Sequence, residues 1–122
     1  MSTIRADTLT DAAGTGPAAL TSQWAARATV NYNQSTPAII SSQNISSVDD
    51  DSAGNFGVNY TNAFGAATYV VTGATGANAG TPGVLGPDLA LATGATEMRS
   101  TNTSGTGADF DANGIATFGD LA

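Results

Sequence analysis

The residues able to do chemistry in this 122-residue chain are ten carboxylates and three arginines, Arg5, Arg27 and Arg99; histidine, cysteine and lysine are absent. The commonest general base, the thiolate nucleophile and the usual nitrogen and sulfur metal ligands are therefore missing. No G-x-S-x-G elbow presents a serine, and no G-x-x-x-x-G-K-[ST] loop cradles a phosphate. Two carboxylate groupings remain. Asp49-Asp50-Asp51 could supply paired carboxylates for glycosidase-type chemistry, or form a solvated hairpin turn. Asp109-Phe110-Asp111-Ala112-Asn113-Gly114 matches the opening of a calcium loop, and Asp120 falls at its twelfth position. A calcium loop normally ends in a bidentate glutamate and lies between helices, whereas Phe110, Ile115 and Phe118 have the spacing of strand residues. The expectation is a chain that is not an enzyme and needs no cofactor. Asp109, Asp111, Asn113 and Asp120 are kept as a weak calcium candidate.

Charge excludes other classes. The net charge is −7 and the pI about 4.1. Nucleic acid binding needs a basic stripe, and three arginines do not make one. An anionic membrane surface would repel the chain, and no apolar run approaches the roughly 18 residues that span a bilayer. Met1-Ser2-Thr3-Ile4-Arg5 opens on a polar stretch, so no leader is expected. Without cysteine there is no disulfide framework.

The elements that position these groups read as short strands. Residues 1–23 read as an extended arm, anchored by the apolar Ile4, Leu9 and Leu20 and punctuated by Gly14, Gly16 and Pro17; plain disorder is the alternative. Residues 24–122 read as one β-domain. Trp24 to Asn33 alternates, with Trp24, Ala26, Ala28, Val30 and Tyr32 on one face. Trp24 is expected to anchor the core against Val58, Tyr60 and Val70, with a ligand platform as the alternative. Ala38 to Val48 reads as a second strand with a bulge near Ser42-Gln43. Asp49 to Asn55 reads as a turn before the alternating Phe56, Val58 and Tyr60, a hairpin signature. Strands are expected around Tyr69-Val70-Val71, at 84–93 and at 95–102, and glycine-rich loops at 73–83 and 103–107. Ile115 to Phe118 closes the domain after an Asn113-Gly114 turn. Such strands without an amphipathic helix predict an all-β fold, a single small antiparallel sandwich or meander. Much of the hydrophobic fraction is alanine, which buries little area, so the chain is expected either to keep long ordered loops or to borrow core from neighbours.

Two stretches carry a resemblance. Ser2 to Gly16 reads STIRADTLTDAAGTG, and resembles the I-[KR]-A-D-T-L-T-D-A-A-G-T-G segment of bacteriophage tail-fibre and related virion proteins. Trp24 to Asn33, Ile45-Ser46-Ser47-Val48-Asp49 and Gly54 to Tyr60 resemble the β-domain that follows it there, and Phe118-Gly119-Asp120 resembles that domain's end. Pro17-Ala18-Ala19-Leu20 stands where those proteins usually have P-x-F-P, and residues 73–108 fall outside the resemblance. The resemblance implies a non-enzymatic structural protein on the outer surface of a virion, tail or capsid, assembled as a homotrimer. Ile4, Arg5, Leu9 and Leu20 would then form the attachment arm, docking on another virion protein. Loops 73–83 and 103–108 would be free to meet a host-surface glycan. A capsid decoration protein at local three-fold sites and a calcium-dependent carbohydrate-binding module are the alternatives.

Overall fold

The structure is a computed structural model and describes residues 25–76 and 80–122. These residues form an all-β sandwich with no helix. Its strands are β1 (Ala28–Asn33), β2 (Ala38–Gln43), β3 (Ile45–Ser52), β4 (Asn55–Tyr60), β5 (Val70–Gly76), β6 (Val84–Pro87), β7 (Ala95–Thr101) and β8 (Ala112–Phe118). They build two four-stranded sheets, in the orders β2-β1-β8-β5 and β3-β4-β7-β6, and every neighbouring pair is antiparallel.

Period-two patterning decides which side chains go inward. Ala28, Val30 and Tyr32 of β1 are buried, as are Phe56, Val58 and Tyr60 of β4 and Met98 of β7. The two sheets meet through these residues: the Tyr32 and Phe56 rings lie 5.3 Å apart between centroids. At one end of the sandwich three more rings close the core. Phe64 stacks on Tyr69 at 4.4 Å and meets the edge of Tyr60 at 4.9 Å. Such pairs add about 0.5–1.5 kcal/mol each beyond the area they bury.

Several elements differ from the sequence expectation: β5 runs on to Gly76, so residues 73–76 are strand and not loop, and the strand expected at 84–93 stops at Pro87. The run from Ala38 to Val48 is two strands, broken at Asn44, which has a φ of 57°. That left-handed residue turns the chain out of one sheet and into the other. The bulge in the β1–β2 ladder lies opposite Asn31/Tyr32 and makes Ile40 the extra residue, rather than lying at Ser42-Gln43. Asn113-Gly114 is no turn; it lies inside β8, paired with β1 and β5. Asp49, Asp50 and Asp51 likewise belong to β3, and the hairpin turns later, at Ala53-Gly54. Gly54 has a φ of 79°, and a Cβ there would collide with the Ser100 carbonyl oxygen and the Ala108 nitrogen.

Candidate functional site

Two networks join inward polar side chains at the ends of the sandwich, while Tyr32 Oη and Asn55 Oδ1 are buried without a hydrogen-bond partner. At the aromatic end, Tyr60 Oη and Tyr69 Oη each lie 2.6 Å from Thr96 Oγ1, and Tyr69 Oη donates to the Ala92 carbonyl at 2.7 Å. Burial is the main reason that the Tyr69 phenol is pushed up to about 12. At the other end, Gln34 Nε2 donates to Asp50 Oδ1 at 3.2 Å and to the Asn55 carbonyl at 3.2 Å. Ser100 Oγ donates to the Ala108 carbonyl at 2.8 Å and to Gln34 Oε1 at 3.2 Å. Asp109 Oδ1 accepts the Gly54 N–H at 2.7 Å. These bonds join hairpin, loop and strand ends. They satisfy groups that would be expensive to bury alone.

The four calcium-candidate residues are not brought together. Asp109 and Asp120 flank β8 at opposite ends, some seven strand residues apart. At about 3.4 Å of rise per residue that spans more than 20 Å. Asn113 is fully buried, and its Oδ1 accepts from Thr75 Oγ1 at 2.6 Å. Its Nδ2 donates to the Tyr32 and Phe110 carbonyls at 3.3 and 3.2 Å. Asp111 is half-buried beside it. Among the described residues no group of three or more carboxylates is arranged to hold a metal ion.

The aspartate triplet also diverges. Asp50 pairs with Phe56 and accepts from Gln34, whereas Asp49 pairs with Gly57 on the outer face of its sheet. There it accepts from Asn59 Nδ2 at 2.7 Å. Gly57 in turn pairs with Glu97, so Asp49, Gly57 and Glu97 form one row across β3, β4 and β7. The Glu97 carboxylate lies over Gly57, within 3.1 Å of where a Cβ would stand. Partial burial raises the Glu97 pKa, and the charge and hydrogen bond of Asp51 raise it further, with Asp49 and Asp88 adding to them. Arg99 meets Asp88 at 3.8 Å as an exposed pair, the kind worth about 0–1 kcal/mol.

The opposite sheet has a different surface. None of the residues of β1, β2, β5 and β8 is charged. Its outer face is built from Thr29, Asn31, Gly114, Ala116, Thr72 and Ala74. A surface depression of about 490 Å³ lies at the start of β1, lined by Ala25, Ala26, Arg27, Gln43, Asn44, Thr61, Asn62 and Leu121, and holds no carboxylate.

Ile4, Arg5, Leu9, Leu20 and Trp24 lie outside the described residues. Of the three expected neighbours of Trp24, Val58 and Tyr60 are buried, but Val70 is 55% exposed and lies outside the core. The sequence reading passed over Thr96 and Gln34. Thr96 could have been found from its alternation with Met98 and Ser100; nothing in Asn33-Gln34-Ser35-Thr36-Pro37 marks the glutamine of a turn as buried. The chain matches no family model, no curated protein and no solved structure.

Proposed function

We propose that this chain is a bacteriophage virion structural protein, a short tail-fibre or fibre-tip component that docks by residues 1–23 and exposes its β-domain. The observation that carries this reading is the Ser2–Gly16 segment, with its resemblance to the arm of tail-fibre proteins. The described part of the resembling β-domain is consistent with it. Residues 25–33 lead into and form β1, and 45–49 and 54–60 form the β3–β4 hairpin. The chemistry agrees in kind: a chain with no histidine, cysteine or lysine, and with carboxylates spread over an outer sheet face, suits adhesion better than turnover.

The arm supplies attachment and the sandwich supplies display. Ile4, Leu9 and Leu20 seat in grooves of another virion protein, and their burial offsets the entropy lost when the arm is fixed. Within loop 103–108, residues 103–106, turned by Gly105 at a φ of 82°, are exposed for a host-surface glycan. Locating the chain's density on the intact particle tests the reading. Density confined to the tail or its tip, at low copy number, is the expected result. Density spread over the head at high copy number would make the chain a capsid decoration protein instead.

A further inference from the structure

The hairpin end of the sandwich holds a polar group that the fold leaves unserved. Tyr32 is 2% exposed, and its Oη has no hydrogen-bond partner. A buried hydroxyl without a partner is costly, and it marks a place where water or an ion belongs. Two carboxylates converge on the same end. The Tyr32 ring packs on Phe56, and Phe56 pairs across the hairpin with Asp50. Two residues beyond Tyr32, the Gln34 amide donates to Asp50 Oδ1 and to the Asn55 carbonyl. The Gln34 backbone N–H donates to the Phe110 carbonyl, next to Asp109, and Asp109 Oδ1 accepts the Gly54 N–H. β1, the β3–β4 hairpin and the segment before β8 thus bring Tyr32, Asp50 and Asp109 together. Electrostatics agree with this placement. Burial raises the Tyr32 pKa first, and the charges of Asp50 and Asp109 raise it further, ahead of Asp49.

We infer that Tyr32, Asp50 and Asp109 form a binding site for a calcium ion. The chemistry of the ligands selects it. All three offer oxygen, the donor that hard cations prefer, and the chain has no histidine or cysteine to favour a transition metal. Each carboxylate has committed one oxygen, to Gln34 or to Gly54, and keeps the other for the ion. Among the described residues neither has a cationic partner; the ion pair is Arg99–Asp88. A water would serve the phenol but leave both charges uncompensated, whereas a divalent cation serves phenol and carboxylates at once. Calcium accepts an irregular shell completed by water, while magnesium demands a near-ideal octahedron. Two carboxylates are few, so the affinity is that of extracellular calcium modules, about 10⁻⁴–10⁻³ M. The site keeps Asp109 from the calcium loop read in the sequence and replaces its other members with residues distant in the chain. The ion ties β1 to the hairpin and to the segment before β8, and so braces the end from which loop 103–108 projects. None of this depends on the virion role.

Calcium chloride titrated into the chelator-treated full chain, followed by calorimetry and by the thermal midpoint, tests the site. One saturable site per chain is expected, and the midpoint should rise as it fills. Asp50→Asn and Asp109→Asn should each weaken binding at least tenfold, and Tyr32→Phe several-fold, with β-sheet circular dichroism unchanged. Asp49→Asn and Asp120→Asn should change binding less than twofold. Terbium gives a second readout that needs no carboxylate variant, and it decides the matter if an aspartate variant fails to fold. Its tyrosine-sensitised emission should appear with the native chain, fall as calcium displaces the terbium, and drop in Tyr32→Phe. Absence of saturable calcium binding overturns the inference, as does terbium emission that Tyr32→Phe leaves unchanged. So does binding that survives Asp50→Asn or Asp109→Asn, or that Asp49→Asn abolishes, since the ion would then lie on the outer acidic row.

Discussion

Thr96 shows how a single small side chain holds this core. One hydroxyl serves the phenols of Tyr60 and Tyr69, and both rings pack against Phe64. Thr96→Val keeps the shape and removes the partner, so both phenols lose a buried hydrogen bond. Equilibrium urea unfolding should show a loss of about 1–3 kcal/mol. The Tyr69 phenol carries a pH signature. Its folded pKa is about 12 against an ordinary 10.0. An acid held protonated by the fold contributes stability that is complete below pH 10 and is lost as pH rises through 12. Tyr32 is raised in the same direction, by burial and then by Asp50, Asp109 and Asp49. Thermal midpoints should fall across that alkaline window, and Tyr69→Phe should flatten the fall. Gly54 is the most constrained backbone position: Gly54→Ala adds left-handed strain to its collision with Ser100 and Ala108. A loss of at least about 2 kcal/mol is expected in the same unfolding experiment.

Strands were legible where one face is buried and the other is wet. β1, β4 and β7 alternate because each has the core on one side, and their inward residues can be read directly from the chain. β2 breaks the rule because it overhangs: with neither face buried, its Ile39-Ile40-Ser41-Ser42 has no period to read, and the break at Asn44 leaves no apolar signature. Asn113-Gly114 misled for the opposite reason. An Asn-Gly pair signals a turn when its polar groups face water, but here Thr75 and two backbone carbonyls satisfy the asparagine inside β8. The acidic row is an element-scale property, since it exists only when β3, β4 and β7 are in register. Glu97 keeps its proton to higher pH in the fold than its ordinary 4.5, so its contribution is favourable below that value and is lost as pH rises through the raised one. Glu97→Gln should therefore raise the thermal midpoint at pH 7 and change it little at pH 4, as scanning calorimetry at the two pH values would show.

At the scale of the whole molecule, the fold sorts charge. The chain is acidic throughout its composition, yet among the described residues one sheet carries every charged strand residue and the other carries none. That sorting was not legible in the sequence, because it depends on which strands share a sheet. The proposed division of labour, between an attachment arm with spaced apolar anchors and a displayed β-domain, rests on the sequence alone. The most direct test of that division is to delete residues 2–20 and follow two readouts, circular dichroism of the purified protein and its incorporation into the proposed virion. The account predicts that the β-sheet spectrum persists while the truncated protein is missing from particles. A truncated protein that still incorporates normally, or one that no longer folds, would contradict it, because attachment would then run through the β-domain or the arm would be part of the core.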